Sequence, residues 1–406
     1  MKRCCLLILT CLPFITSHAE TDQIIAASPF AEAIQQTQQS VFADNYAGSS
    51  PYTRRISNEF VAGLVDSAWR LSRMARRLDR PEFQSGTEVV GLPGLYNPDN
   101  IYSSALLQDQ GIYRISGIRG SHAHFTLQFI DSFPLIALSK QLFSIDMGEH
   151  GVEPGDNFEI FLGGPKQDGL WWPMPAGAQA VLTRQTFSNW HSETPTTLSI
   201  ERLDGPDSTI DTDRLELAAQ YLRMTTSLWA NHYMKGLRRL PANVIPPILR
   251  SKDRDGGLGG QQTAMARFDL AADEALIVVA RASDATYQSI QLGDYWFVTP
   301  DPTKHLSSLS IDQSQVGEDG AIHYVVSASD PGVANWLDTG GGLQGYILLR
   351  WQGIQSPVDA AHQPVATRVK LEDIQQHLPD NTKRVSAAFR EQQIGQRRDV
   401  PTWKDR

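Results

Sequence analysis

Cysteine is scarce in this chain of 406 residues, because its only three cysteines are Cys4, Cys5 and Cys11. Everything after position 11 therefore has no side chain for a disulfide, a thiolate metal site or a cysteine nucleophile. Beyond the N-terminus, no run approaches the roughly 18 consecutive apolar residues that a membrane-spanning helix needs. The fold must be stabilised by buried apolar side chains, and we predict no membrane span.

Positive charge is also in deficit, since the formal net charge is −9 at pH 7. A general nucleic-acid binder needs a basic surface to displace phosphate counterions. The sequence also lacks a Gly-x-Ser-x-Gly elbow, a His-Glu-x-x-His motif and a phosphate-binding Gly-rich loop. We therefore predict neither a nucleic-acid partner nor a cofactor. Whether the protein is an enzyme, and its oligomeric state, stay open at this stage.

The N-terminus is typical of a cleavable secretory signal. Lys2 and Arg3 form a basic start, residues 6–15 are mostly apolar, and Ser17 and Ala19 are small residues before the expected cut. The apolar run is too short for a membrane anchor. We predict cleavage near Ala19 and a periplasmic, or secreted, location.

Apolar periodicity divides the rest of the chain into helical and β regions. Phe60, Leu64, Ala68 and Leu71 recur every three or four residues, which predicts an amphipathic helix. From residue 96 onward, short runs such as 124–129 alternate apolar and polar residues, and Gly, Pro and Asp clusters separate them. Such strands are typical of an antiparallel sandwich or barrel.

These patterns predict a mainly β fold with accessory helices. We expect two antiparallel β-sandwich domains, a helical N-terminal segment and a connecting helix. The predicted segments are a signal peptide at 1–19, a helical segment at 20–91, a first sandwich at 92–205, a connecting helix with a Gly-rich linker at 206–260, a second sandwich at 261–354, and a polar tail at 355–406 with one helix near 371–377 and a disordered end.

Two histidines, His122 and His124, precede a predicted strand at i and i+2 spacing. Histidines so spaced are ligands in some β-barrel metal sites, but such a site needs at least three converging ligands. Alternation with Phe125, Leu127 and Phe129 places both histidines on the solvent face. We therefore predict no metal site and favour surface positions for both.

A polar segment contains Asn97, Asp99, Asn100 and Tyr102 and is stiffened by Pro98. These side chains are candidate hydrogen-bonding groups in a ligand pocket. The alternative is ordinary turn chemistry, because Asn and Asp side chains bond to their own backbone.

Carboxylates close to tryptophans form a second candidate. Trp190 precedes Glu193, and Trp336 precedes Asp338. Sugars stack on tryptophan rings while acids bind their hydroxyls, and paired acids perform glycosidic chemistry. The alternative places the tryptophans in the core and the acids in turn caps.

The run from Asp330 to Thr339, with Gly345 and Leu349-Arg350-Trp351, resembles the C-terminal signature of a bacterial family known as domain of unknown function twelve-fourteen. Segments 273–276 and 288–296 are similar to it, and 97–102 and 113–117 resemble the N-terminal part of longer members. Gly342 departs from the pattern, where a His is expected. The resemblance implies jelly-roll-like β domains with attached helices and no established reaction.

Two functional hypotheses follow. The first is a non-catalytic envelope protein that binds a carbohydrate or other small ligand through the Trp, Asn and Asp residues. The second is a hydrolase or lyase acting on an envelope or extracellular glycan, with Asp99, Glu193 or Asp338 as acid or base. A pair of carboxylates about 5–10 Å apart in one cleft favours the enzyme. Acids on separate surfaces favour the binding protein.

Overall fold

A computed structural model describes residues 28–86, 91–207, 210–250, 261–356, 358 and 362–398. The predicted signal peptide and the Gly-rich linker at 253–260 lie outside these residues. The helices of the described chain are α1 (Pro29–Phe42), α2 (Pro51–Ala75), α3 (Arg214–Thr226), α4 (Met234–Leu237) and α5 (Ala387–Arg398), with a π-helical segment at Ser227–Tyr233 and short 3₁₀ turns at Met147–His150, Ile311–Gln313 and Leu371–His377.

The first half of the β structure contains nine strands in two sheets. They are β1 (Gln84–Ser85), β2 (Asn100–Leu106), β3 (Ile112–Ile118), β4 (His124–Ile130), β5 (Gln141–Asp146), β6 (Asn157–Leu162), β7 (Leu170–Trp172), β8 (Ala180–Thr186) and β9 (Thr197–Asp204). Sheet 1 has the order β1-β2-β8-β4-β5, and sheet 2 has the order β7-β6-β3-β9. They pack around a core that includes Phe125, Leu127 and Phe129, so the predicted alternation sets this inner face.

The second half has the same plan. Its strands are β10 (Leu249–Arg250), β11 (Gln261–Asp269), β12 (Glu274–Arg281), β13 (Tyr287–Gly293), β14 (Ser308–Ser310), β15 (Ala321–Ser327), β16 (Trp336–Asp338), β17 (Gln344–Gln352) and β18 (Val365–Lys370). Sheet 3 has the order β10-β11-β17-β13-β14, and sheet 4 has the order β16-β15-β12-β18. The predicted mainly β fold with accessory helices is confirmed, whereas the domain boundaries stay predictions.

Local signals explain where the N-terminal helices begin. The Ser28 hydroxyl accepts a hydrogen bond from the Ala31 N–H at 3.1 Å, and Pro29 occupies the first turn of α1. Helix α2 starts with a capping box between Ser50 and Thr53. These caps satisfy N–H groups that the helix itself leaves without partners.

The apolar stripe of α2 is buried as its spacing predicts. Phe60 stacks on Trp296 with ring centroids 4.8 Å apart, which docks the helix on the loop after β13. Gly63 permits a second close approach, because a Cβ there would lie 2.3 Å from the Gly91 carbonyl oxygen. Among the described residues, no helix is both long and apolar enough to cross a bilayer.

The C-terminal tail is more structured than the sequence suggests. Residues 365–370 add strand β18 to sheet 4, and the helix predicted near 371–377 is a 3₁₀ turn. Helix α5 then contacts both halves of the molecule, because Arg390 binds Asp330 in the second half and the Arg397 guanidinium lies 5.0 Å from the Trp190 ring centroid in the first. The described part of the predicted disordered end is therefore ordered by buried arginines, which a polar composition does not reveal.

Candidate functional site

Asp99 lies at the joint between the two sandwiches and is fully buried. One carboxylate oxygen accepts a hydrogen bond from the Trp190 indole N–H at 3.0 Å, and the other accepts one from the Tyr287 hydroxyl at 2.7 Å. Trp190 follows β8 in the first sandwich, whereas Tyr287 begins β13 in the second. A single carboxylate therefore holds side chains from both sandwiches.

The neighbouring polar side chains extend this network. The Asn97 amide donates to the Tyr287 hydroxyl at 2.7 Å, and its oxygen accepts from the Asp99 N–H at 3.1 Å. The Asn100 amide donates to the Tyr102 hydroxyl at 3.1 Å. The structure thus brings five of the sequence-predicted residues together (Asn97, Asp99, Asn100, Tyr102 and Trp190). Their polar groups hydrogen-bond largely to one another. These bonds stabilise the contact between the two sandwiches as well as the local turn.

Glu193 is close to Trp190 in sequence but has a local role. Its carboxylate accepts a hydrogen bond from the Asn189 N–H at 3.0 Å, which closes a turn. Burial raises the pKa of Glu193, and the carboxylates of Asp312 and Asp99 raise it further. The Trp190 ring is covered by the Arg397 guanidinium, 5.0 Å from the ring centroid. The ring is therefore not an open stacking platform.

Trp336 and Asp338 lie elsewhere in the second sandwich. The Trp336 indole donates to the Ser327 hydroxyl at 3.0 Å, and the Arg390 guanidinium lies 5.2 Å from its ring centroid. Asp338 contacts His305 Nδ1 at 2.7 Å. Helix α5 thus covers both tryptophans with an arginine. The described hydrogen bonds do not join this second pair to the Asp99 network.

The prediction that His122 faces solvent is wrong, because its side chain is only 1% exposed. Its Nδ1 lies 2.8 Å from the His124 carbonyl oxygen, and its Nε2 lies 2.8 Å from the Thr196 hydroxyl. Burial, helped by the nearby Arg119, lowers its pKa to about 3. Strand β4 begins at His124, so the alternation does not extend back to His122. Within the described ranges, no three His, Cys, Asp or Glu residues converge as metal ligands.

A cavity of about 250 Å³ lies between sheet 1 and sheet 3. Its walls are largely apolar, and its polar groups come from a few strand positions. Leu228, Trp229 and Tyr233 reach it from the π-helical segment, a backbone form that often marks functional sites. Concave apolar sites with a few placed polar groups are the usual form of small-molecule pockets.

Strand alternation builds the two main walls. In sheet 1, Tyr102 on β2, Arg184 on β8, and Gln128 with Ile130 on β4 face the cavity, while intervening residues fill the first core. In sheet 3, the facing residues are Gln261, Thr263 and Met265 on β11 and Leu348 and Arg350 on β17. Because successive strand residues point to opposite faces, each sheet serves a core on one side and the cavity on the other.

Each wall contributes one arginine whose orientation is fixed by a glutamine. Arg184 Nη1 donates to the Gln128 side-chain oxygen. Arg350 Nη1 donates to the Gln291 side-chain oxygen at 2.6 Å, and the Gln291 amide is held by the Leu95 carbonyl at 3.1 Å. Burial lowers the pKa of Arg184, and the charge of Arg350 lowers it further. The two cations are therefore close enough to repel each other.

Neither arginine is among the site residues predicted from the sequence, which were chosen as acids, tryptophans and turn-forming polar residues. Asn100 and Tyr102, which were predicted, also line the cavity. Arg184 occupies an outward position on an alternating strand, where a charged residue is unremarkable. Arg350 stands in the Leu349-Arg350-Trp351 part of the signature, which was the available signal.

Comparisons with known proteins add fold information. The chain is similar to the crystal structure of an uncharacterised protein from Burkholderia cenocepacia, with 27% identity, a TM-score of 0.74, and coverage of 84% of this chain and 96% of that chain. A weaker likeness is to the VPA0106 protein from Vibrio parahaemolyticus, with 11% identity, a TM-score of 0.44 and coverage of 83% and 100%. No family model and no curated protein matches. The Burkholderia cenocepacia protein is uncharacterised, which is consistent with a group of proteins of unknown function.

Proposed function

We propose that this protein binds a carbohydrate or other small ligand, without transforming it, in the cavity between sheet 1 and sheet 3. The observation that carries the proposal is the lining of that cavity. Apolar side chains such as Leu182, Met265 and Phe297 supply contact area, and polar groups such as Asn100 and Tyr102 supply orientation.

The nature of the lining favours binding over glycan cleavage. None of the described residues that line this cavity is an Asp or a Glu. Hydrolysis of a glycosidic bond ordinarily uses two carboxylates that flank the bond. The Asp99 carboxylate accepts hydrogen bonds at the joint between the sandwiches, and Glu193 and Asp338 make local contacts away from the cavity. The hydrolase hypothesis therefore has less support.

Ligand-observed saturation-transfer NMR tests the proposal with two neutral probes, benzyl alcohol and glucose. We expect at least one probe to give saturable transfer with the wild-type protein. Leu182→Trp fills the cavity and should abolish that transfer, whereas Leu203→Trp, at an exposed position on β9, is the matched control and should keep it. Absence of transfer from both probes, or transfer that survives Leu182→Trp in a protein with native circular dichroism, contradicts binding in this cavity.

The proposal includes export to the periplasm and membership of the family called domain of unknown function twelve-fourteen. The leader at 1–19 supports export, and the similarity to an uncharacterised protein is compatible with the family. N-terminal sequencing of the protein from fractionated Gram-negative cells should give Glu20 in the periplasmic fraction. An intact Met1 in the cytosolic fraction contradicts export.

A further inference from the structure

We propose that the ligand is an organic carboxylate with an apolar body, whose carboxylate is held between Arg184 and Arg350. This inference rests on the proposed function and specifies its ligand class. It concerns two cations that face one cavity from different sheets, one from β8 and the other from β17.

The first argument is that neither charge is neutralised. Within the described part of the chain, no carboxylate forms an ion pair with Arg184 or Arg350. Their described hydrogen bonds go to neutral groups, namely the Gln128 oxygen and the Tyr102 hydroxyl for Arg184 and the Gln291 oxygen for Arg350. Glutamine fixes the orientation of a guanidinium while leaving its charge available. A guanidinium has five N–H donors in a fork that matches the geometry of a carboxylate, so each arginine has more donors than these described bonds use.

The second argument is energetic. Arg350 is 8% exposed, and Arg184 lies partly buried on the facing sheet, so both charges have lost much of their hydration. Two like charges that face one cavity repel each other, and partial burial of a charge without a counterion is costly. An anion between them offsets both effects. An empty cavity, or one that holds a neutral ligand, offsets neither the repulsion nor the cost of burial.

The apolar part of the cavity wall favours a carboxylate with an apolar body over a bare inorganic anion. The same cavity is walled by Leu348 and Met265 of sheet 3 and by Trp229 and Phe297 of the connecting elements. These side chains offer contact area to a hydrocarbon or aromatic body and no hydrogen bonds to a second charge. The cavity of about 250 Å³ has room for such a body beside the carboxylate.

Isothermal titration with benzoate, benzyl alcohol and inorganic phosphate tests the inference on the whole mature protein. We expect benzoate to bind roughly tenfold or more tightly than benzyl alcohol and than phosphate, because hydrogen bonds to charged groups exceed neutral ones by about that factor. Arg184→Gln and Arg350→Gln should each weaken benzoate binding about tenfold and leave benzyl alcohol binding within about twofold. Arg223→Gln, at an exposed position on α3, is the matched control and should leave benzoate binding unchanged.

The outcomes separate this inference from the proposed function. Equal affinity for benzoate and benzyl alcohol contradicts a carboxylate ligand, but it agrees with the proposed function of small-ligand binding in the cavity. Tighter binding of phosphate than of benzoate overturns the carboxylate class. Failure of all three probes overturns both proposals. If the glutamine variants fail to fold, the wild-type comparison between benzoate and benzyl alcohol decides the question by itself.

Discussion

The joint around Asp99 and the cavity around Arg184 both lie between the first and second sandwiches, yet they treat buried charge in opposite ways. At the joint, an indole N–H, a tyrosine hydroxyl and neighbouring amides surround one carboxylate. In the cavity, two guanidinium groups meet only neutral oxygens among their described hydrogen-bond partners. A polar cluster that satisfies itself holds a fold together, whereas one that does not is a candidate for binding.

The comparison also explains why the tryptophan-and-acid pairs mislead. Trp190 and Trp336 are each bordered by an acid in sequence, which is typical of a sugar platform. In the structure, helix α5 places Arg397 on the first ring and Arg390 on the second. Stacked arginines occupy the faces that a sugar would use. Both tryptophans therefore belong to the packing of the C-terminal helix.

The largest expected effect comes from breaking the joint. Asp99→Ala removes the carboxylate that accepts from the buried Trp190 indole and one of two acceptors within reach of the Tyr287 hydroxyl, so we expect the free energy of unfolding to fall by about 2–5 kcal/mol. Asp99→Asn keeps one acceptor oxygen and should cost less. Urea denaturation measures both variants. A loss below about 1 kcal/mol for Asp99→Ala would mean that the joint is not held by this carboxylate.

An effect of intermediate size concerns a buried carboxylate that has only backbone donors. Asp294 accepts hydrogen bonds from the N–H groups of Trp296 at 2.8 Å and Val298 at 3.1 Å, and burial raises its pKa to about 7. Its folded pKa lies above its unfolded value, so the folded state holds the proton longer. The contribution of Asp294 to stability is then largest at low pH and is lost as pH rises toward 7.

This prediction is checked by urea unfolding at a series of pH values. Between pH 4 and pH 7, we expect Asp294 to lower the free energy of unfolding by roughly 3 kcal/mol as pH rises. Asp294→Asn keeps an acceptor oxygen for both N–H groups and cannot ionise, so it should remove that part of the slope. An identical slope in the variant contradicts the assignment.

The smallest expected effect sharpens the contrast with the joint. Arg184→Met replaces the buried charge with an apolar side chain, and the Gln128 oxygen that it bonded faces a cavity that admits water. We expect the free energy of unfolding of the ligand-free protein to change by less than about 1 kcal/mol, or to rise, because removal of an uncompensated charge is often neutral or stabilising. Arg184→Lys keeps the charge and serves as the control in the same denaturation series. A loss above about 2 kcal/mol would place Arg184 with Asp99 as a structural charge.

Much of the fold could be predicted because its elements are encoded locally. The alternation of Phe125, Leu127 and Phe129 defines a strand with one buried face, and the spacing of Phe60 and Leu64 defines an amphipathic helix. The histidine prediction was wrong where alternation was extended beyond the strand. The 387–398 helix was missed because its buried arginines make it resemble a solvated tail.

Only part of the candidate site could be predicted, because only part of it is encoded by residues that are close in sequence. Asn100 and Tyr102 stand in a polar, turn-forming segment that is visible in the sequence. Arg184 and Arg350 stand at alternate positions of ordinary strands, and only Arg350 has a sequence signal nearby, the Leu349-Arg350-Trp351 part of the signature. Their shared cavity depends on contacts between residues more than a hundred positions apart.

By itself, the sequence determined most of the strands and helices, the inner face of the first sandwich and the lack of any cysteine beyond position 11, because periodicity and composition are local properties. Tertiary structure alone decided which outer faces meet. Because sheet 1 packs against sheet 3, two arginines at strand positions typical of the surface become a pair of partly desolvated cations. Because α5 packs on the sandwiches, two tryptophans that the sequence places at a surface become packed against arginines. Burial of a charge is a property of the assembled chain, since its cost depends on every group that surrounds it.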